Sequence, residues 1–336
     1  MDIAKETFKI KIAILQPLIL EEKYLNEINQ AFYQLIDDLE TSNLNIKLDN
    51  KTYILNKKLR KENFNKFRYY KTLILELKLS LNDIYINQEI YNNRNQKLEL
   101  TPEQNNYFKI KTIETELEKY VMDLTFAINL AYPGLFEYYD AKIYRNNKLI
   151  NKFDTVLIDW QCSYINYLKN EWPLIHCLNI EQVWTCLNTK TNFLDGMSKT
   201  AIDRALNALT YTLGNTSYET IFYILMGIEA IYNDNANNGI TEQIRVKTEA
   251  LLKRPEKFKK RISKIYDNRS KFIHGKLNFP TKYCPYDAKE DFEDFYFNKY
   301  IETFEDAISI LISTIQEYII QDASTLEISV IVNLTN

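Results

Sequence analysis

Two residues whose side chains could do chemistry together, Arg269 and His274, lie in the basic segment RISKIYDNRSKFIHGK, residues 261–276. A histidine can move a proton at neutral pH, and an arginine keeps its positive charge and can hold a phosphate. At a phosphodiester of RNA, the imidazole could take the proton of a ribose 2′-hydroxyl or protonate the leaving 5′-oxygen. The guanidinium could stabilise the charge that develops on the non-bridging oxygens. These residue types indicate RNA cleavage without a metal, in which the RNA supplies the nucleophile.

The spacing of the pair sets a geometric condition. Side chains five residues apart on a regular helix point about 140° away from one another. Gly275 predicts that the helix ends at about His274. There the backbone dipole favours a protonated imidazole and the neighbouring cations oppose it. The spacing alone also fits a surface ion pair on Arg269 beside an ordinary helix-terminal histidine.

The segments that must position this pair are predicted to be helical. From about residue 198 onward, apolar residues recur at helical spacing and the joints are short, as in a helical bundle. The segment SYETIFYILMGIEAIYN is apolar nearly all round, which is typical of a helix buried in a bundle. A last long helix is predicted over residues 299–320. Three more helices are predicted. One is capped by Ser198 or Thr200, one is capped by Thr241, and one begins at Pro255 and contains the basic segment.

The first part of the chain mixes strand and helix patterns. Leucines alternate from Leu73 to Leu81, which predicts a strand with one apolar face. Asn146 and Asn147 separate two strand-like runs and predict a hairpin turn. A helix is predicted over residues 114–132.

Length and composition set the class of protein. The chain has 336 residues, 46% of them hydrophobic, which is enough for one large or two ordinary domains. The expected fold class is α+β, a mixed α/β N-terminal region followed by an all-α helical bundle. The expected domains are residues 1–190 for recognition or gating, residues 191–325 for the bundle, and a C-terminal tail over 326–336.

The same composition bears on location and cofactors. No apolar run approaches the roughly 20 residues that cross a bilayer, and the first 20 residues do not resemble a secretion signal. A soluble, cytoplasmic protein without a membrane partner is therefore expected. The four cysteines form no C-x-x-C pair and the chain has two histidines, so we expect no metal site and no cofactor.

Charge is segregated along the C-terminal region. Residues 253–276 contain ten cationic side chains against two acidic ones, a net +8, and residues 287–306 have a net −6. A charge run of this kind is often only a solvated face. The same run also fits contact with a phosphate backbone.

Four helical segments together resemble a known family. The blocks RALNALTYTLG, YILMGIEAIYN, ITEQIRVKTEALL and RISKIYDNRSKFIHGK, in this order and spacing, resemble the Apea-like branch of the HEPN superfamily. The resemblance covers about residues 200–320. It implies a HEPN-like helical bundle that dimerises, so that two arginine–histidine motifs form one composite ribonuclease site. It also implies an endoribonuclease of anti-phage abortive infection or of a toxin system, with transfer RNA as one candidate substrate.

Carried over residue by residue, the resemblance assigns Arg269 and His274 as catalytic. Ser270 follows the arginine, where the wider superfamily prefers Asn, Asp or His. Glu229 matches a family acid that could buttress Arg269, although a buried structural glutamate fits equally well. Asp267 and Asn268 complete the supporting residues. The candidates for RNA contact are Arg261, Lys264, Lys271 and Lys276.

Other functions remain open from the sequence. A HEPN module that binds RNA or a partner protein without cutting is one alternative, and a structural dimerisation protein is another. A toxic nuclease needs restraint, so an inhibitor or a phage trigger is expected. The stretch NFNKFRYYK, residues 63–71, interleaves aromatic and cationic residues and fits either base stacking with phosphate contact or an ordinary strand edge.

Overall fold

A computed structural model describes most of the chain. The described residues are 5–19, 21–48, 51–61, 69–84, 100–154, 159–214, 219–233, 239–276 and 300–323. They form two compact units. The first comprises Met1–Leu18, Phe32–Phe126 and Phe136–Val156, and the second comprises Ile19–Ala31, Ala127–Leu135 and Leu157–Asn336. The first holds the strands and the second is helical, so the α+β prediction is confirmed.

The first unit is built on an antiparallel sheet of five strands in the order β4-β5-β1-β6-β7, with β2 and β3 paired separately. The strands are β1 Lys5–Leu15, β2 Asn45–Leu48, β3 Lys51–Ile54, β4 Asn56–Arg60, β5 Tyr69–Ser80, β6 Glu137–Arg145 and β7 Lys148–Phe153. Two helices, α1 Leu25–Thr41 and α2 Pro102–Ala131, contribute residues to this unit. Helix α2 begins twelve residues before the predicted helix over 114–132 and includes nearly all of it.

One face of this sheet is apolar and buried. Ile10 of β1 lies opposite Leu75 of β5, and both are almost fully buried. Residues two apart on a strand share a face, so the alternating leucines of β5 line this side as predicted. Helices cover it: Lys71 of β5 pairs with Glu40 of α1. Asn151 of β7 donates a hydrogen bond to Glu118 of α2.

The hairpin between β6 and β7 is confirmed. Asn146 and Asn147 both have positive φ, 47° and 66°. Two successive residues with positive φ make the turn whose twist matches the flanking strands, and asparagine tolerates this conformation well. The Asn146 amide also donates a hydrogen bond to Glu6 at 2.7 Å, which fastens the turn to β1.

The second unit is a helical bundle. Its helices are α3 Gln161–Asn170, α4 Ile180–Thr189, α5 Ala201–Thr210, α6 Thr220–Tyr232, α7 Ile240–Leu252, α8 Lys259–Ile273 and α9 Glu302–Ile320. Helix α9 is buried along most of its length. Gly227 of α6 packs against Leu311 of α9, where a Cβ atom would lie 2.9 Å from the leucine side chain.

The bundle starts earlier than the predicted boundary at residue 190, because α3 and α4 pack against α9. Asn166 of α3 donates a hydrogen bond to Ser309 of α9 at 3.1 Å. Just after α3, the Leu174 carbonyl accepts a hydrogen bond from Ser313. Such contacts place these helices in the second unit. The predicted tail over 326–336 lies outside the described residues.

The helix starts were predicted with mixed success. Thr200 caps α5 as expected, with a reciprocal capping box to Asp203. The prediction for Thr241 is wrong, since Gly239 holds the cap position of α7 and the helix begins at Ile240. Pro255 precedes a short 3-10 turn, and α8 begins after that turn at Lys259.

Replacing Asp203 by alanine is expected to lower the free energy of unfolding by about 2 kcal/mol, because it removes one half of the capping box and leaves partly buried donors without their acceptor. The buried Asp203 carboxylate accepts hydrogen bonds from Asn192, Lys199 and Thr200. Burial alone would raise its pKa, but these hydrogen bonds outweigh burial and lower the pKa to about 2.

The pH dependence of this contribution has a definite sign. A lowered pKa means that the stabilisation is complete above the unfolded-state value near 4 and is lost as the pH falls towards 2. Urea unfolding of wild type and Asp203→Ala at pH 7 and at pH 3 measures it, with exposed Asp195→Ala as control. A difference that does not shrink at the lower pH would contradict the assignment.

Candidate functional site

Helix α8 carries the candidate site at its C-terminal end. Its buried stripe consists of Ile262, Ile265 and Tyr266, spaced as one helix face requires. The helix closes with two hydrogen bonds, from the Gly275 amide to the Phe272 carbonyl at 3.1 Å and from the Lys276 amide to the Lys271 carbonyl at 2.7 Å. Gly275 has φ 65°, which glycine adopts without strain. The predicted end of the helix at His274 is confirmed.

Arg269 is held by an acid from a different helix. Its Nε lies 3.0 Å from Oε1 of Glu229 on α6, and its Nη2 lies 3.5 Å from Oε2. The contact to Oε1 is an ion pair without hydrogen-bond alignment. The Arg269 side chain is 33% exposed, so the guanidinium is oriented on one side and open to solvent on another. The structure therefore brings together Arg269 and the acid predicted to support it.

The surroundings of this pair are partly apolar. Burial raises the pKa of the Glu229 carboxyl, and the Arg269 charge opposes that rise. Burial also raises the pKa of the Tyr266 phenol, and Glu229 adds to the rise. The Tyr266 hydroxyl has no hydrogen-bond partner among the described residues. Tyr266 was not predicted, although its position one turn before Arg269 was a usable signal.

His274 is the C-cap residue that directly follows α8, and it is exposed. Its amide donates a hydrogen bond to the Ser270 carbonyl at 3.0 Å. Its φ of −88° keeps Cβ near the direction it would have on the helix, while its ψ of 11° lies outside the helical region. The offset of about 140° from Arg269 is therefore retained. Within the described part of the chain, no hydrogen bond or ion pair joins the two side chains. Both remain accessible, and one chain presents them on different sides of α8.

The other predicted supporting residues have separate surroundings. Asp267 forms an ion pair with Lys271 at 2.5 Å on the exposed side of α8. Asn268 donates a hydrogen bond to the Thr303 hydroxyl at 2.7 Å, which ties α8 to α9. Ser270 is exposed beside Arg269. Of the supporting residues, Glu229 is the one whose described contacts include Arg269.

The cations predicted to contact RNA are largely engaged within the chain. Arg261 pairs with Asp306 at 2.9 Å and lies over the Phe258 ring, with its guanidinium carbon 4.9 Å from the ring centroid. Lys264 pairs with Glu302, and Lys271 is paired as described above. Lys276 is exposed and has no ion pair within the described ranges. The acidic start of α9 thus neutralises part of the basic run on α8.

An exposed apolar surface lies next to the candidate site. Phe222 of α6 packs edge-on against Phe272 of α8 with centroids 4.8 Å apart, and Tyr223 stacks on Tyr211 at 4.5 Å. Met226 is 60% exposed and Ile273 is 50% exposed. We call these six residues the α6–α8 apolar surface. Helix α6 packs in the bundle as predicted, with Ile224, Leu225 and Ile228 buried, but the side that carries Met226 faces solvent.

The other histidine of the chain has different surroundings. His176 is partly buried, and its Nε2 lies 3.5 Å from Glu317 of α9. Across the described ranges, no group of three or more His, Cys, Asp and Glu side chains could hold a metal ion. None of the described helices has the length and apolar character needed to cross a bilayer.

The aromatic and cationic stretch over residues 63–71 falls mostly outside the described residues. Of its members, Tyr70 and Lys71 have described side chains. Tyr70 packs edge-on against Phe32 of α1 at 5.1 Å, and the ammonium of Lys71 lies 5.6 Å from the Tyr70 ring centroid. These two residues take part in packing within the first unit.

Comparison with known proteins identifies no relative: no family model, no curated protein and no solved structure matches this chain.

Proposed function

We propose that this chain is a metal-independent HEPN endoribonuclease that cleaves RNA with Arg269 and His274. The observation that carries the proposal is the end of α8, where Glu229 orients an accessible guanidinium five residues before an exposed imidazole. An arginine held in this way is ready to bind a phosphate without further ordering. The resemblance of the four helical blocks to the Apea-like HEPN branch supports the same assignment.

The reaction is a transesterification. The His274 imidazole takes the proton of the ribose 2′-hydroxyl as the 2′-oxygen forms a bond to phosphorus, and the bond to the 5′-oxygen breaks. The 5′-oxygen receives a proton from the second imidazole of a dimer or from water. Arg269 donates hydrogen bonds to the non-bridging oxygens, which become more negative in the transition state. The products are a 2′,3′-cyclic phosphate and a 5′-hydroxyl.

A homodimer removes the geometric difficulty of the 140° offset. When two α8 ends meet across a two-fold axis, Arg269 of one protomer can face His274 of its partner. The α6–α8 apolar surface supports this arrangement, because exposed apolar residues next to a site are typical of an interaction surface. A second copy of the chain fits it, since an interface there places two candidate sites side by side.

A second candidate function is a HEPN module that binds RNA or a partner protein without cutting. The observation that favours it is the internal pairing of Arg261, Lys264 and Lys271, which leaves fewer cations for a substrate. A tightly regulated nuclease would show the same pairing in a resting state. We propose a role in anti-phage abortive infection or as a toxin in the cytoplasm. A phage trigger or an inhibitor would control it, and transfer RNA is a candidate substrate.

Sequencing of RNA 5′-hydroxyl ends after induced expression tests the nuclease directly. Wild type is expected to generate new ends that are absent from cells expressing His274→Ala at the same protein level. The positions of these ends identify the RNA that is cut. Identical end profiles for wild type and variant, under conditions where wild type stops growth, would favour the binding module.

Replacing Glu229 by glutamine is expected to lower the cleavage rate about tenfold, because Arg269 loses the carboxylate that orients it. In wild type, lowering the pH should also weaken the orientation of Arg269, because protonation removes the negative charge of Glu229. Because its pKa is raised, Glu229 takes up its proton at a higher pH than an ordinary glutamate.

Single-turnover cleavage rates measured against pH check this expectation. The fall in cleavage rate at low pH that is due to protonation of Glu229 should be absent from Glu229→Gln. Glu242→Gln is the matched control, since Glu242 pairs with Arg245 at 2.8 Å on α7. A Glu229→Gln protein with the wild-type rate and pH profile would show that Glu229 is only structural.

A further inference from the structure

The face of the five-stranded sheet opposite the buried leucines carries a row of cations. Lys58 of β4 lies opposite Ile74 of β5, which lies opposite Lys11 of β1. Lys11 lies opposite Lys142 of β6, and Lys142 lies opposite Lys152 of β7. Directly opposed residues share a face of an antiparallel sheet. The pairing therefore sets four lysines in one line across the sheet.

Further cations extend this line along the strands. Lys9 and Lys78 lie beside Glu76, at 3.5 Å and 3.0 Å from its carboxylate oxygens. Lys142 pairs with Asp140 at 2.7 Å. We call this surface the basic sheet face, and its cations are Lys9, Lys11, Lys58, Arg60, Lys78, Lys142 and Lys152.

The basic sheet face has an excess of positive charge. Its seven cations stand against the three carboxylates of Glu76, Asp140 and Asp154, a net +4, in a chain whose overall net charge is −3. Asp154 lies 3.5 Å from the Lys152 ammonium. Like charges placed directly opposite on neighbouring strands destabilise a sheet. Asp140 and Asp154 offset part of this repulsion at Lys142 and Lys152. Lys11 has no ion pair among the described residues, so its charge opposite Lys142 still opposes folding stability. An anionic partner bound across this face would relieve the repulsion between these lysines, and this relief would favour binding.

The basic sheet face also has a hollow and an aromatic side chain. A hollow of about 450 Å³ opens over β4, β5 and β1, lined among others by Lys9, Lys11, Lys58 and Arg60. Tyr144 of β6 lies opposite Lys9, and the Lys11 ammonium lies 5.4 Å from the Tyr144 ring centroid. An aromatic ring beside cations on a sheet is a platform on which an unpaired base can stack while lysines hold its phosphates.

We propose that the basic sheet face binds single-stranded RNA through its phosphate backbone, with Tyr144 stacking on a base. Cations two apart on a strand are separated by about 7 Å and neighbouring strands by about 5 Å, so the face offers a regular array of charges to an extended polyanion. Surfaces that lie on membranes add apolar side chains that insert among the lipids. Ile74, the central apolar residue here, is buried. That the bound RNA is also the substrate rests on the proposed nuclease function.

The test measures RNA binding in the full chain carrying His274→Ala, so that the RNA survives. The ligand is a fluorescent single-stranded oligoribonucleotide of mixed sequence, titrated between about 50 and 200 mM salt. The test variant adds Lys11→Gln and Lys58→Gln. Its matched control adds Lys47→Gln and Lys51→Gln on the separate β2–β3 pair, which changes the net charge equally. Thermal unfolding of both variants checks folding, and we expect the test variant to be at least as stable as its parent, because Lys11 no longer opposes Lys142.

We expect the test variant to bind the RNA about tenfold more weakly near physiological salt, with its log–log salt slope reduced by about 1.4, because two phosphate contacts are lost. The control should bind like the parent. Unchanged affinity and slope in the test variant would overturn the proposal. A test variant that loses binding to phosphatidylserine vesicles but still binds RNA would also overturn the proposal, since the face would then be a membrane-binding surface.

A second variant separates stacking from charge. Tyr144→Leu is expected to weaken binding about tenfold with the salt slope unchanged, because stacking on a base does not release counterions. Tyr107→Leu, at an exposed tyrosine of α2, is the control. If Tyr144→Leu and Tyr107→Leu bind RNA with equal affinity, Tyr144 does not stack on a base. If the wild-type chain binds RNA but produces no 5′-hydroxyl ends, the proposed nuclease function is refuted and the proposal for the basic sheet face still holds.

Discussion

Replacing His274 by alanine is expected to lower the rate of RNA cleavage by about a thousandfold, the scale of lost general acid–base catalysis. The fold should be unaffected, because the side chain is exposed and the helix end is closed by backbone hydrogen bonds and by Gly275. Affinity for RNA should change little, since the imidazole moves a proton and adds little to binding. The loss should therefore lie in the single-turnover rate at saturating enzyme.

The control for this experiment is the other histidine of the chain. His176→Gln removes an imidazole whose described neighbour is Glu317 of α9, so wild-type cleavage is expected. A His274→Ala protein that keeps more than about a tenth of the wild-type rate would contradict the catalytic role, since general acid–base groups contribute at least 10²-fold. Thermal unfolding of both variants separates loss of chemistry from loss of structure.

Mixing two inactive variants is expected to restore activity. A chain with Arg269→Ala keeps its histidine, and a chain with His274→Ala keeps its arginine. In a mixed dimer, Arg269 of one protomer meets His274 of its partner at one of the two symmetric positions. Random pairing at equal amounts makes half of the dimers mixed, so activity can recover up to about a quarter of wild type. Against parents near one thousandth of wild type, this rise is more than a hundredfold.

Coexpression of the two variants with different tags, followed by purification through both tags, isolates the mixed dimer. Its cleavage rate is compared with that of each parent. Arg269→Gln serves as a second arginine variant, because its amide can donate a hydrogen bond to Glu229 and protects the fold if alanine disturbs it. A mixed dimer as inactive as its parents would contradict a site made by Arg269 of one protomer and His274 of its partner alone. Failure of the tags to copurify would exclude the dimer itself.

Features set by neighbours in the sequence were predictable. The turn at Asn146 and Asn147, the cap at Thr200 and the helix end at Gly275 depend on the backbone preferences of the residues themselves. The alternation of leucines in β5 likewise needs the period of a strand and no knowledge of its partners. The α+β class follows because these local patterns differ between the two parts of the chain.

Features that depend on distant partners were decided by the tertiary structure. The resemblance named Glu229, forty residues away on α6, as a candidate partner of Arg269, but the packing of α6 beside α8 sets their contact. The acids that neutralise α8 come from the start of α9. The exposed side of α6 became visible when its neighbours were placed, because an all-apolar helix has no periodicity that marks which face is covered.

The basic sheet face illustrates the same limit. Each lysine in it is an ordinary polar residue of one strand, and no local pattern joins β4 to β7. The strand order β4-β5-β1-β6-β7 sets them in one row. The sequence by itself determined which residues could do chemistry and where several turns and helix ends lie, since those are short-range preferences. Only the tertiary structure decided which charges face each other, because that depends on long-range pairing of elements.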